Sequence, residues 1–268
     1  MIGFIVPIKP KKASKNWEFD NVLFERTIKS ICAQTYIQFK VIVVYNDKPT
    51  STFNHGNIVY VSIPLPEVKS NQIEDLDYVL KYYDINYAEK MFDKGRKITY
   101  GANVAINLGC DYIMAIDSDD LISNKIAEFI ETHKASNPPG WVIKKGFIYN
   151  EGSNYLIKKH DIQNVNGSTH IIRKDLIQIS DFNKNIFWNY NLFEAHGYTY
   201  FRIRDFHKEF LLDCPFFGIV YIISGNNYSN ISRIMNTAGL KKIIRFIFRA
   251  SFLTQKIKKE FGLYELKF

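Results

Sequence analysis

The sequence predicts an α/β fold, an open sheet with helices on both faces. Two apolar runs, Ile2 to Ile8 and Phe39 to Tyr45, lack the polar alternation of a half-exposed strand, so each is expected to be buried on both sides. Between them Phe19, Val22, Leu23, Ile28, Ile31 and Cys32 recur at helical spacing among charged residues, which completes a βαβ unit. The alternation of strand and helix continues to residue 116. With 268 residues, 46% of them hydrophobic and 23% charged, the chain has material for a large core; disorder, a collagen repeat and a small disulfide scaffold are excluded.

Taken in order, Ile2 to Ile8 has no basic segment before it and no small-residue cleavage site after it, so it reads as a first strand rather than a signal peptide. Ile58 to Ile63 is the third strand, stopped by Pro64 and Pro66. The long connection 64–96 carries a helix-spaced stripe of Ile73, Leu76, Leu80, Tyr83, Tyr87 and Met91. Residues 98–109 read as a helix leading into a fourth strand, Tyr112 to Ile116. Further on, strands are expected over Trp141 to Tyr149, Tyr155 to Lys158, Ser168 to Arg173 and Gly218 to Ile223, with a helix over Leu192 to Arg204 and an Asn- and Ser-rich loop from Gly225 to Ser232. No linker of domain-separating length interrupts the chain. The expected organisation is one domain over residues 1–237 and a basic amphipathic helical tail over 238–268.

Charge is concentrated in that tail. Residues 240–268 hold eight Lys or Arg against Glu260 and Glu265, and so carry six of the eight net positive charges. Lys242, Arg245, Arg249, Lys256 and Lys259 fall on one side of a helix, and Ile243, Ile247, Ala250, Leu253, Ile257 and Phe261 on another, the pattern of a helix lying on an anionic membrane surface through residues 240–261 or packing on the domain. The body has no basic face, zinc-finger spacing or RNA-binding aromatic motif, so nucleic acid is not an expected partner. Nothing approaches the roughly 20 uncharged apolar residues of a spanning helix. Cys32, Cys110 and Cys214 are odd in number and widely spaced, which fits a reducing, cytoplasmic setting and three small buried residues.

In an open parallel sheet, ligands bind beyond the carboxyl ends of the strands. The second strand ends at Asn46 and Asp47, and the fourth runs directly into Asp117, Ser118, Asp119 and Asp120. Three carboxylates within four residues repel one another unless a cation or a cluster of donors sits among them. Oxygen ligands without His or Cys suit a hard cation such as Mg²⁺ or Mn²⁺, with Asp117 and Asp119 as its ligands. Helix capping is the competing explanation for Ser123, and with it Asp120, ahead of the run Ile126, Phe129, Ile130; it leaves Asp117 unexplained.

These segments resemble the family 2 type glycosyltransferases of GT-A fold. The resemblance is carried by FIVPIKP, TIKSICAQTYIQFKVIVVYND, KITYGANVAINLGCDYIMAIDSDDLIS and YIISGNNYSNIS, and it spans most of residues 1–235. It implies a Rossmann-like open mixed sheet and the inverting transfer of a sugar from a nucleoside diphosphate sugar, UDP favoured, to a glycan or lipid-linked acceptor; the basic tail would set such an enzyme on the inner face of the membrane. Asp117 and Asp119 match the metal-holding acids, with Ser118 between them. Asp47 matches the acid that contacts the base, with Pro7 and Ile8 lining the same pocket. Lys97 and Asn103 match the segment that passes near the nucleotide.

The chain departs from the family pattern in two places. The acidic pair that supplies the general base is represented by Glu194 alone, since Ala195 stands in the second position, and His196 and Asp205 are the alternatives. Where relatives carry a His before the Asn-Ser loop this chain has Ser224, a place that water, His196 or His207 would fill. Exposed tyrosines of the 64–96 connection would stack on acceptor sugar rings. Two rival readings are a haloacid-dehalogenase-type phosphatase, whose nucleophile also stands at a strand-end DxD, and a catalytically degenerate domain that binds a glycan or a membrane.

Overall fold

The computed structural model describes residues 1–73, 76–81, 83–177, 179, 193, 197, 199–223 and 249–266. Its centre is the expected open sheet. Strand β1 (Ile2–Pro7) pairs in parallel with β2 (Phe39–Tyr45) on one side and β4 (Tyr112–Ala115) on the other, and β2 continues in parallel to β3 (Ile58–Ser62). Beyond β4 the sheet becomes mixed: β9 (His170–Arg173) is antiparallel to both β4 and β6 (Gly140–Val142), and β10 (Leu212–Asp213) closes that edge. The resulting order is β10-β6-β9-β4-β1-β2-β3.

The apolar runs are buried on both faces because helices cover both. Ile2, Phe4 and Val6 of β1 pack with Phe24, Ile28 and Ile31 of α1 (Trp17–Cys32), whereas Ile5 packs with Ile98, Ala102 and Ala105 of α3 (Ile85–Asn107). Asn16 caps α1 by accepting the Phe19 N–H, and Asp84 caps α3 by accepting the Tyr87 N–H. The helix expected over 98–109 therefore begins thirteen residues earlier, because the Asp84 cap starts it. That cap also divides the expected stripe: Ser70–Gln72 is a 3₁₀ turn, α2 spans Leu76–Val79, and Val68, Ile73, Ala88 and Phe92 form a small core of their own. Helix α3 lies so close to the sheet at Gly101 that a β-carbon there would stand 2.5 Å from Ile5 Cγ2 and 2.8 Å from Val44 Cγ2.

A second, five-stranded sheet has the order β12-β8-β7-β11-β5, built from β5 (Leu121–Ile122), β7 (Lys145–Asn150), β8 (Tyr155–Lys159), β11 (Phe217–Ile223) and β12 (Ala250–Phe252). The strand expected over Trp141 to Tyr149 is thus two strands in different sheets. The crossing falls at Ile143 and Lys144, where the Ile143 N–H donates to Thr169 O and the Lys144 carbonyl accepts from Ile162 N.

Of the helix expected over Leu192 to Arg204, the described part is α5 (Thr199–Arg202), which runs on into a wider turn over Ile203–His207. The tail also differs from a continuous helix. Among its described residues, Ala250–Phe252 pairs antiparallel with β8, and Thr254 then caps a separate helix, α6 (Gln255–Phe261). Phe261 and Leu263 are buried against Leu121, Phe147, Tyr149 and Leu156, with Ile257 packed beside them, so the apolar side of α6 covers the second sheet. Lys256 and Lys259 face solvent. No helix among the described residues is long and apolar enough to cross a membrane. The three cysteines are free, and burial raises their thiols, Cys32 to about 12 and Cys110 and Cys214 to about 11.

One long-range tie holds α1 to the second sheet and the C-terminus. Arg26, fully buried, donates to both Glu151 carboxylate oxygens at 2.9 and 2.7 Å and to the Tyr264 carbonyl at 3.1 Å. We expect Gly101→Val to overpack the interface between α3 and the sheet and cost about 3 kcal/mol, read as a lower urea midpoint at unchanged slope.

Candidate functional site

The chain runs from β1 out to β2 and β3 and then returns to place β4 on the other side of β1, so the sheet order reverses between β1 and β4. Such a reversal opens a crevice at the strands' carboxyl ends. Here it is a cavity of about 590 Å³. Pro7 to Pro10 beyond β1 and Asp117 to Asp119 beyond β4 line one wall, α3 another, and residues 163–167 a third.

The acidic run is the turn by which the chain leaves the first sheet and enters the second. Ile116 N–H still donates to Ile5 O, and by Leu121 the backbone belongs to β5, paired with β11. Asp120 N–H donates to Asp117 O and closes the turn at 3.1 Å. The Ser168 hydroxyl accepts the Asp117 N–H at 2.8 Å and donates to Asp120 Oδ2 at 2.7 Å. Asn166 donates to the same Asp120 oxygen at 2.7 Å and accepts the Ser168 N–H at 2.7 Å. Asp120 is 1% exposed, so it anchors the turn from below, and its role as a helix cap does not hold. Nor does that of Ser123: its hydroxyl donates to Glu260 of α6 at 2.8 Å, and α4 (Ile126–His133) begins without a side-chain cap.

The far side of the turn is held by α1 and α6. Ser30 Oγ exchanges hydrogen bonds with both the N–H and the carbonyl of Ile122. Gln34 donates to Ser123 O and accepts from Ala127 N, while Lys125 and the Asn124 N–H reach Glu260. Every residue from Ile122 to Lys125 is therefore tied to an element distant in sequence.

Oxygens of Asp117, Asp119 and Asp120 lie within 4.8 Å of one another. Burial pushes Asp120 well above the usual carboxylate range, and the charges of Asp119 and Asp117 add to it. Asp119 is pushed up to about 6, first by burial and then by the Asp117 charge, with Lys94 and Lys9 pulling it back. Asp120 Oδ1 is buried without a hydrogen-bond partner. A crowded all-oxygen set fits a hard divalent cation on the Asp117 and Asp119 side of the turn, where both residues line the cavity.

Helix α3 supplies the positive wall. Lys94 Nζ lies 2.6 Å from Asp117 Oδ1. Lys97, 1% exposed, donates to Ile8 O at 3.0 Å and pairs with Asp93 Oδ2 at 2.7 Å. Arg96 donates to Asp93 Oδ1 at 2.9 Å and to the Pro66 carbonyl. Burial lowers both Lys97 and Arg96, with Asp93 opposing it. Lys97 thus lines the cavity while its ammonium fixes the end of β1.

The structure gathers Pro7, Ile8, Lys97, Asp117, Ser118 and Asp119 around one cavity. Asp47, Asn103, Asp205 and His207 do not line it among the described residues. Asp47 is exposed, and its carboxylate accepts the Lys11 N–H at 2.8 Å, which shapes the loop after β1. Asp205 is exposed and held low by Arg204 Nε at 2.7 Å. Glu194, His196, Ser224 and the loop from Gly225 to Ser232 lie outside the described residues. Lys94, Asp93, Asn166 and Ser168 escaped the sequence reading. The spacing of Lys90, Lys94 and Lys97 on one helical face was available as a signal, whereas nothing local points Asn166 or Ser168 at residue 120. Tyr83 and Tyr87, their rings 5.2 Å apart, also line the cavity.

No protein-family model and no curated protein matches the sequence. Solved structures that resemble the chain include S. aureus TarS, with 14% identity, 91% of this chain and 41% of that one covered, and a TM-score of 0.48. S. aureus TarS 1-349 in complex with UDP-GlcNAc has 13% identity, coverage of 96% and 69%, and a TM-score of 0.45. Francisella tularensis 2-C-methyl-D-erythritol 4-phosphate cytidylyltransferase has 10% identity, coverage of 86% and 94%, and a TM-score of 0.38. The chain spans less than half of TarS.

Removing the Ser168 hydroxyl takes a donor from a buried carboxyl and an acceptor from the Asp117 N–H. Ser168→Ala is expected to cost about 2 kcal/mol in urea unfolding and to weaken Mn²⁺ binding measured by titration.

Proposed function

We propose that the chain is a glycosyltransferase of GT-A type that moves a sugar from a nucleoside diphosphate sugar, with UDP the favoured nucleotide, to a hydroxyl of a glycan or lipid-linked acceptor. The observation that carries this reading is the acidic turn itself: three carboxylates meet at the reversal point of an open sheet, two of them lining a cavity that Lys9, Lys90, Lys94 and Lys97 also line. The family 2 resemblance of the surrounding segments supports it.

In this reading Asp117 and Asp119 hold Mg²⁺ or Mn²⁺, which when bound offsets the charge gathering on the departing diphosphate. Asp120, locked by Asn166 and Ser168, keeps the two ligating acids at their positions. Pro7 and Ile8 shape the nucleotide's side of the cavity, and Lys97 fixes them through the Ile8 carbonyl. Asp47 contributes by pinning the Lys11 loop, and Asn103 by its place on α3. Glu194 takes the proton of the acceptor hydroxyl as general base and gives inversion by direct displacement, with His196 as the substitute. Tyr83 and Tyr87 offer rings on which an acceptor sugar stacks.

Thermal shift and calorimetry with UDP and GDP, with and without Mn²⁺, test the reading. UDP binding that Mn²⁺ strengthens is expected in the wild type. Asp119→Ala is expected to weaken it by at least about tenfold, the effect of about 1.4 kcal/mol. Hydrolysis of a generic phosphoester that Asp117→Asn abolishes would instead establish the phosphatase chemistry. Glu194→Gln is expected to bind UDP as the wild type does and to lose turnover with a donor and acceptor panel.

A further inference from the structure

The cation ligand Asp117 is already claimed by a cation of the protein's own. Lys94 Nζ stands 2.6 Å from Asp117 Oδ1, each side chain 27% exposed, and both residues line the cavity. The other cations of that helical turn are committed elsewhere, Arg96 to Asp93 and Pro66 O, Lys97 to Asp93 and Ile8 O. Lys9, across the cavity, pairs with Asp20 at 2.6 Å. Lys94 thus makes a direct ion pair with the acidic turn, while Lys9 acts on Asp119 through its field.

An ammonium at this distance neutralises much of the carboxylate's attraction for a divalent ion and repels that ion in turn. A diphosphate brings the opposite charge and several acceptor oxygens into the same cavity. The lysine side chain is a flexible four-carbon arm ending in a point charge, and it can transfer from one anion to the other without backbone movement.

We propose that Lys94 couples the two ligands of the site: it pairs with Asp117 until a nucleoside diphosphate draws it onto the phosphates, and Asp117 is thereby released to the cation. This rests on the functional reading above. The coupling is reciprocal, so each ligand strengthens the other by the same factor. Lys94 is in these terms a positioning and phosphate-binding residue at once, and metal and nucleotide bind as a pair rather than independently.

The test uses the full chain, Mn²⁺ binding followed by electron paramagnetic resonance, and UDP binding followed by calorimetry, each ligand alone and in the presence of the other. For Lys94→Met we expect Mn²⁺ alone to bind about fivefold tighter and UDP alone about fivefold weaker, the worth of a partly exposed ion pair of about 1 kcal/mol. The factor by which UDP strengthens Mn²⁺ binding should fall below that of the wild type, leaving the direct attraction of the cation for the diphosphate. Should Lys94→Met fail to fold, Lys94→Gln reads the same quantities. Mn²⁺ affinity unchanged or weaker in the variant, or an undiminished coupling factor, overturns the proposal. So does an equal effect from Lys90→Met, which would assign the change to the general field of α3. A wild type that binds neither Mn²⁺ nor UDP overturns the functional reading together with the coupling, whereas a wild type that binds both while Lys94→Met is indistinguishable from it overturns the coupling alone.

Discussion

Like charges at close range govern this molecule. Three carboxyl groups share one turn at the end of β4, their oxygens within 4.8 Å, in a place where water is partly excluded. Such a turn is tolerated because each acid is handled differently. Asp120 is driven toward its neutral form by burial and receives two hydrogen bonds on one oxygen. Asp117 has its charge met by Lys94. Asp119 is raised to about 6 by burial and by the Asp117 charge, against the fields of Lys94 and Lys9. A fold that concentrates negative charge in this way gains no stability from doing so; the arrangement makes sense as the holder of a positive ligand.

The constraint reaches far from the acids. The turn must stay rigid while it joins two sheets, and the supports come from every quarter of the chain: Ser30 and Gln34 from α1, Asn166 and Ser168 from the loop before β9, and Glu260 from α6. The C-terminal helix, whose composition suggests a membrane-seeking element, spends its apolar side on the second sheet and one of its acids on the segment that follows the acidic turn. Stability and site geometry are coupled here, since the elements that bury the second sheet are also those that fix residues 121–125.

Helix α3 divides its cations between structure and chemistry. Arg96 and Lys97 share one carboxylate, Asp93, and stitch the helix to Pro66 O and Ile8 O. Breaking a buried arrangement of this kind leaves an uncompensated charge and costs several kcal/mol. Lys94, one turn nearer the solvent, is spared that duty and meets the acids of the cavity instead. Positions 94 and 97 therefore differ in kind although both are lysines on one helix face.

The sheet, its two covering helices and the acidic turn were legible in the residues alone, because continuous apolar runs and helix-spaced stripes report burial directly and because Asp117 follows its strand without a gap. The expected strand from Trp141 to Tyr149 was half right: apolar pattern reveals that a segment is buried but carries no record of which sheet receives it. The cap offered for Asp120 did not hold for a related reason, since residue type states what a side chain is able to do, while its partner depends on what the tertiary structure brings alongside. The chain thus prescribed its elements and the place of its acids locally. Which acid is buried by Asn166 and Ser168, forty-six and forty-eight positions away, and which lysine reaches Asp117 were settled by packing, because contacts between distant segments exist only once the sheets have assembled.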